Sequence, residues 1–314
     1  MNLTTQLMLD ALLLPLVLLA ACTVRPLRER MLPWLAVAPL PALAAALAAL
    51  WGDGTAALAV QGGFYTLTLA LDTPAAVLLA AAALLWCAAG VSAATALRGA
   101  PNRGRFAACW LMALAGCIGV FTAADMPLLY FMLALMTFGA AGLVFHDESP
   151  AARGAAGVYL GLALIGETLV LMAMVQLAPL TEGSLLIRDA AAALPTAPNR
   201  NAIIALLVAG FGLKAALFPL HVWMPLAYPA APLPAAAVLS GAVVKASVVG
   251  LIGFLPVDVA LADWGNGMAM LGMFSALYGV AIGVTQSQPR VILAYSSVSQ
   301  MGFVVAVIGM GIAN

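Results

Sequence analysis

Charge is scarce in this sequence. Only 8% of its 314 residues are Asp, Glu, Lys or Arg, and 12 basic side chains balance 12 acidic ones. Zero net charge with scattered basic residues excludes a nucleic-acid-binding surface, which needs clustered Lys and Arg. The chain is 65% hydrophobic with a mean hydropathy of +1.11, and a soluble domain has no means of burying that much apolar surface. The composition therefore predicts an integral membrane protein.

The sequence also lacks the motifs of nucleotide and metal chemistry. It has no Walker loop, no dinucleotide-binding fingerprint and no nucleophile elbow, so neither ATP nor NADH is expected to bind this chain. The four cysteines form no CxxC pair and lie in or beside apolar runs, which favours packing over metal binding. We expect no cofactor, no metal and no catalytic residue in this chain. Its energy is expected to come from an ion gradient or from a partner.

Apolar runs of about 20 residues, the length that crosses a bilayer, recur along the chain. Each break between them carries proline, glycine or charge. We predict an all-α integral membrane fold with about ten transmembrane helices, at residues 3–23, 31–51, 72–97, 106–123, 127–145, 157–177, 201–219, 235–255, 267–285 and 291–312. Polar and apolar residues alternate over residues 65–71, which predicts a short external strand or hairpin before the third helix.

Arginines are distributed unevenly among the connections. Only Arg188 and Arg200 lie in connections that follow even-numbered spans. The connections that follow odd-numbered spans hold Arg25, Arg28, Arg30, Arg98, Arg103, Arg105, Arg153 and Arg290. Since positively charged loops stay in the cytoplasm, we expect a multi-pass protein of the bacterial inner membrane with both termini on the outer side.

Two lysines lie inside the apolar runs of one stretch, residues 210–250, which reads GFGLKAALFPLHVWMPLAYPAAPLPAAAVLSGAVVKASVVG. An ammonium at the centre of a bilayer costs about 2.5 to 3.5 kcal/mol, so Lys214 and Lys245 are expected to face a helix bundle and mark an ion path. The alternative for each is a lysine that reaches water at a helix end. The prolines between them, including Pro219 and Pro225, predict a helix that is broken at membrane depth.

Further polar side chains accompany the lysines. Glu167 lies in the middle of the sixth span, where it either pairs with Lys214 on the next span or stays protonated against a backbone carbonyl. His221 titrates near neutral pH and either relays protons or caps a helix end. Four polar residues of the tenth span either support a chain of waters or join helices by hydrogen bonds. These are Ser296, Ser297, Ser299 and Gln300.

Three motifs together resemble the antiporter-like, proton-translocating membrane subunits. They are GFGLKAALFPLHVWMP, then APLPAAAVLSGAVVK with 31 residues from lysine to lysine, then RVILAYSSVSQMG. This family is shared by respiratory complex I, membrane-bound group 4 hydrogenases, Mrp cation/proton antiporters and inorganic-carbon-accumulating complexes. The resemblance implies fourteen helices, with helices 4 to 8 and 9 to 13 as inverted repeats and helices 7 and 12 broken. It also implies that Lys214 and Lys245 are the proton-path lysines of helices 7 and 8.

The sequence departs from the family pattern in two places. The glutamate that the family carries on helix 5 falls on Ala134 in LLYFMLALM, and Glu167 is the candidate replacement. The chain also stops at Asn314, after the tenth predicted helix, so it resembles a family member truncated there. We predict helices 1–3 in residues 1–105, the first inverted repeat with the ion path in 106–256, and the start of an incomplete second repeat in 257–314.

The resemblance favours a proton-translocating subunit of a complex I-like, Mrp-like or hydrogenase-type assembly, with sodium as the alternative ion. Its path would run through Glu167, Lys214, His221 and Lys245. Expected partners are the lipid bilayer and other membrane subunits, one of which supplies or covers the missing C-terminal helices; no nucleic acid is expected. Two alternatives stay open: a membrane partner in an inorganic-carbon uptake complex, and a scaffold subunit that does not transport.

Overall fold

Long apolar helices dominate the computed structural model, which describes residues 3–52, 56–62, 65–256 and 259–313. Within these ranges, nine helical segments are long and apolar enough to cross a membrane. A helix satisfies its own backbone hydrogen bonds, which makes it one of the few structures that are stable in lipid. The predicted all-α membrane fold is confirmed.

The first half of the chain contains the first five predicted spans and one β-hairpin. In chain order its elements are α1 (Leu3–Ala21), α2 (Arg25–Arg28), α3 (Trp34–Val37), α4 (Leu40–Trp51), β1 (Ala56–Gly62), β2 (Tyr65–Leu71), α5 (Thr73–Ala96), α6 (Arg103–Thr122) and α7 (Met126–Val144). The strands β1 and β2 pair antiparallel, with Ala56 opposite Leu71. The predicted hairpin is therefore present.

The second half contains long helices interrupted by irregular segments. In chain order its elements are α8 (Pro150–Leu177), α9 (Ile187–Ala193), α10 (Arg200–Lys214), α11 (Met224–Ala230), α12 (Leu233–Val238), α13 (Val244–Phe254), α14 (Ala262–Gly283) and α15 (Pro289–Ala313). A π-helical turn at Leu239–Val243 joins α12 to α13.

The seventh predicted span is the broken one, and its break begins earlier than the sequence predicts. Helix α10 has 15 residues and ends at Lys214, before Phe218. Pro219 accounts for this early end, because a helical proline clashes with the carbonyl four residues earlier and restricts the residue before it. Ala216 adopts a left-handed backbone with φ of 55°, a conformation that terminates helices. The peptide bond between Phe218 and Pro219 is cis.

By their contacts, the residues divide into two compact units. The first comprises Met1–Arg153 and Ala231–Ala246, and the second comprises Gly154–Ala230 and Ser247–Asn314. The three-part division expected from the family resemblance stays a prediction.

Helix α6 lies in the core of the first unit. It approaches α7 closely at Gly139, where a Cβ atom would lie 2.7 Å from the carbonyl oxygen of Cys109. On another face, Trp110 of α6 meets Trp86 of α5 edge to face, with ring centroids 4.8 Å apart. Small residues let the helices approach, and the aromatic rings fill the remaining space.

The hairpin is attached to the start of α7 by one carboxylate. Asp125 is 1% exposed. Its Oδ2 accepts the Thr68 N–H of β2 at 2.6 Å, and its Oδ1 accepts the Leu128 N–H of α7 at 2.8 Å. Asp125 thus caps a helix and holds a strand at the same time.

Helices α14 and α15 form a closely packed antiparallel pair in the second unit. Glycines line their contact: a Cβ atom at Gly265 would lie 2.6 Å from the Gly309 carbonyl oxygen, and one at Gly302 would lie 2.7 Å from the Gly272 carbonyl oxygen. Backbones that meet this closely gain dispersion energy that lipid does not replace.

Candidate functional site

The candidate site is a buried ion pair between two helices of the second unit. Glu167 lies within α8, and Lys214 is the last residue of α10. Glu167 Oε1 lies 2.8 Å from Lys214 Nζ, and their side chains are only 3% and 4% exposed. The contact that the sequence predicts between these residues is present. Two charges buried this far from water are stable only while each stays paired with the opposite charge.

Two glycines set the distance between the helices that carry the pair. A Cβ atom added at Gly166 would lie 2.8 Å from the Gly210 carbonyl oxygen, and the converse distance is also 2.8 Å. Gly166 directly precedes Glu167, so the two backbones approach each other closely next to the carboxylate. The small residues therefore bring the two charged side chains within hydrogen-bond distance.

Two buried side chains hold the irregular segment that follows Lys214. Trp223 Nε1 donates a hydrogen bond to the Leu213 carbonyl at 2.9 Å, and Ser275 Oγ of α14 accepts the Phe218 N–H at 3.1 Å. Such bonds replace those that backbone groups lose where a helix ends. The sequence by itself did not single out Ser275. A serine within an otherwise apolar span was the available signal.

His221 lies in the same irregular segment, inside an aromatic cluster. Its ring centroid lies 5.8 Å from that of Phe218, 5.0 Å from that of Tyr278 and 6.0 Å from that of Tyr295. The residue is 5% exposed, and its Nδ1 has no hydrogen-bond partner among the described residues. The rings fix the imidazole plane, and they leave the hydrogen-bonding capacity of Nδ1 unused.

Lys245 belongs to the first unit, where it follows the π-helical turn. Its half-buried side chain folds back so that Nζ donates to the Ser240 carbonyl at 2.5 Å. A π turn shifts backbone bonds out of the regular α-helical pattern and is frequent at functional sites. The sequence predicted the lysine but not this turn.

The four polar residues of the tenth span lie on different faces of α15. Ser297 is buried and donates to the Leu293 carbonyl at 3.0 Å. Ser296 and Gln300 are exposed, with Gln300 Nε2 3.4 Å from Ser296 Oγ. Ser299 is half-buried and lines, with Gln300, a groove of about 610 Å³ between α14 and α15. A common role in a water chain stays a prediction.

The two prolines selected from the sequence occupy different positions. Pro219 lies in the irregular segment, whereas Pro225 lies in the first turn of α11, where proline is compatible with a helix. In the ranges that the structure describes, no three His, Cys, Asp or Glu side chains form a group that could hold a metal ion.

These features define a class of protein: a multi-pass α-helical membrane protein with a buried acid–base pair beside a broken helix. Ionisable residues at membrane depth and interrupted helices are typical of ion-translocating proteins.

The family model described as NADH:quinone oxidoreductase/Mrp antiporter, TM, matches residues 123–314. Because this match covers more than half of the chain, the chain belongs to that family. The family that the lysine and AYSS motifs indicate is therefore confirmed.

Curated relatives include subunits of two kinds of complex. The NADH-quinone oxidoreductase subunit N of Desulforudis audaxviator (strain MP104C) is 32% identical over 255 residues, which are 78% of this chain and 50% of that protein. Hydrogenase-4 component B of Escherichia coli (strain K12) is 28% identical over 266 residues, which are 80% of this chain and 38% of that protein. The chain thus spans half or less of the length of these relatives.

Two solved structures contain chains of similar fold. One is the membrane-bound sulfane sulfur reductase, an archaeal respiratory membrane complex, with a TM-score of 0.80, 28% identity, and coverage of 96% of this chain and 52% of that chain. The other is the Mrp complex from Dietzia sp. DQ12-45-1b, with a TM-score of 0.83, 22% identity, and coverage of 98% and 59%. The second likeness shows the fold alone.

Proposed function

We propose that this chain is a proton-translocating membrane subunit of a larger complex I-like, Mrp-like or hydrogenase-type assembly. The observation that carries the proposal is the buried ion pair of Glu167 and Lys214. Replacing a buried ion pair with apolar residues is often neutral or stabilising, so a fold does not need such a pair for stability. A charged pair at membrane depth, next to a helix break, is better explained by ion movement.

The geometry of the pair permits proton exchange. At 2.8 Å, the Lys214 ammonium can pass a proton to the Glu167 carboxylate, so that an N–H bond breaks and an O–H bond forms. The products are an amine and a carboxylic acid, both neutral. A neutral pair separates at lower cost than a charged one, because separation leaves no unpaired charge. A charge arriving nearby would shift the balance between the two forms and release the proton.

His221 and Lys245 are the further members of the proposed path, with water carrying protons between them. His221 lies in the irregular segment that begins after Lys214, and its buried Nδ1 has no hydrogen-bond partner among the described residues. Lys245 Nζ already donates to a backbone carbonyl of the π turn, and this bond holds its side chain in place. The polar side chains of the tenth span would support waters at the end of the path.

The proposed assembly includes a subunit whose membrane helices cover α14 and α15. Gln300 is exposed near the middle of α15, beside the groove that Phe303 and Leu277 line. An amide facing lipid lacks the hydrogen bonds that a neighbouring helix supplies.

The arginine distribution further supports a bacterial inner-membrane location with both termini on the outer side.

The test is Glu167→Gln in the native assembly. Glutamine keeps the size of the side chain but cannot carry the charge, so proton transport should fall at least about tenfold. Glu182→Gln, at an exposed position after α8, is the control and should transport like the wild type. Transport is measured in inverted membrane vesicles, with and without sodium, by the quenching of a pH-sensitive dye. The vesicles are energised with the substrate whose oxidation drives the assembly.

Three outcomes separate the functions. If transport is lost in Glu167→Gln but not in the control, the result supports the proton path. If transport requires sodium, the transported ion is sodium and not the proton. Wild-type transport by Glu167→Gln overturns the path. Lost assembly with normal transport per assembled complex would indicate a scaffold.

A further inference from the structure

The position of Lys214 depends on how α10 ends. Because Lys214 is the last residue of the helix, its side chain projects from a terminal turn in which the Gly212 and Leu213 carbonyls no longer accept regular i→i+4 bonds. The carbonyl of the preceding residue, Leu213, accepts the indole N–H of Trp223 at 2.9 Å and the Ala216 N–H at 3.3 Å. A tryptophan ten residues after Leu213 therefore adds a side-chain hydrogen bond to the turn that presents the lysine.

Trp223 also contacts the helix that carries the carboxylate. Its ring meets Tyr159 of α8 edge to face, with centroids 4.9 Å apart, and Tyr159 lies on the same helix as Glu167. The indole is 3% exposed, so water does not compete for its N–H. One side chain thus contacts α8 through its ring and α10 through its nitrogen.

We infer that Trp223 is a positioning residue for the Glu167–Lys214 pair, and that it links this pair to the irregular segment bearing His221. The inference rests on the proposed role of the pair in proton movement. A shift of the segment would move the indole, and the bond to Leu213 would transmit that shift to Lys214. The second anchor of the segment, Ser275, holds Phe218 and so limits the movement to the part nearest Trp223.

A purely space-filling role for Trp223 makes a different prediction. Phenylalanine keeps an aromatic ring against Tyr159 but removes the N–H donor, so a packing residue would tolerate Trp223→Phe with no effect on the lysine. A positioning residue would not, because the end of α10 loses a bond to a buried carbonyl.

The experiment observes the lysine directly. Lys214 and Lys245 are the only lysines in the sequence, so labelling lysine with ¹⁵N gives two side-chain signals, and the second is an internal control. In Trp223→Phe the midpoint of the Lys214 titration should move by about 0.5 pH unit or more, because its carboxylate distance changes, while that of Lys245 stays. The matched control is Trp264→Phe, which loses an indole bond of 3.0 Å to Asn201 Oδ1. It should move neither midpoint.

A measurement on the wild type covers the case that Trp223→Phe does not fold. The indole N–H of Trp223 should exchange with solvent deuterium at least about 100-fold more slowly than that of Trp51, which is 82% exposed. Equal exchange rates, or an unchanged Lys214 midpoint in folded Trp223→Phe, overturn the positioning role. Neither result affects the proton path, whose own test is transport by Glu167→Gln.

Discussion

The buried ion pair leads to a quantitative prediction about stability. Glu167→Gln leaves the Lys214 ammonium without its carboxylate, and Lys214→Met leaves the carboxylate without its cation. Removing one member of a buried pair costs about 3 to 5 kcal/mol. With side-chain exposures of 3% and 4%, neither remaining charge reaches water in the folded protein, so each single variant should fall within this range.

The double variant should be more stable than the two single variants imply. Glu167→Gln with Lys214→Met buries no charge, and its cost is mainly that of imperfect packing. The coupling free energy between the two positions should therefore be about 2 to 3 kcal/mol, the upper part of the range for residues in direct contact. We expect the double variant to be destabilised by less than the sum of the two single costs.

The assay is reversible unfolding in mixed micelles, in which dodecyl sulfate is titrated and tryptophan fluorescence reports the free energy of unfolding. A second cycle on Glu29 and Arg103 provides the control. Their ion pair has a distance of 3.1 Å, but the side chains are 45% and 38% exposed, so its coupling should be about 0 to 1 kcal/mol. Equal coupling in the two cycles would refute the conclusion that the Glu167–Lys214 pair is desolvated.

Three further predictions concern packing, capping and pH. Gly166→Val should destabilise the protein by about 1 to 3 kcal/mol because its Cβ would lie 2.8 Å from a carbonyl of α10; Gly161→Val, where nothing lies within 4 Å of the added Cβ, should change the thermal midpoint little. Asp125→Ala removes the acceptor of two N–H groups and should cost about 2 to 4 kcal/mol, with faster amide exchange in β2; Asp72→Ala, at an exposed cap with one bond, should cost about 1 kcal/mol. Burial lowers the pKa of His146, which follows α7 outside the spans, from its ordinary 6.5. As pH falls below about 6.5, the unfolded chain binds a proton at His146 before the folded protein does, so the free energy of unfolding decreases with falling pH. In thermal melts recorded over a series of pH values, His146→Gln should remove this contribution to the decrease.

Much of this protein follows from the sequence alone. Long apolar runs determine the membrane class and nearly all of the helices, because a bilayer offers no other way to satisfy the backbone over such distances. The lysine spacing and the AYSS motif identified the family. The Glu167–Lys214 contact was also predictable, since two opposite charges on consecutive spans have few other partners in lipid.

The tertiary structure alone decided how the site is held. Helix α10 ends at Lys214 rather than near Phe218, Trp223 bonds the carbonyl before the lysine, and Ser275 holds the break from another helix. The sequence did not reveal these features, because each depends on a backbone group left free at one point and a side chain brought to it from another. Apolar periodicity reports which residues avoid water, but it does not report which buried groups meet.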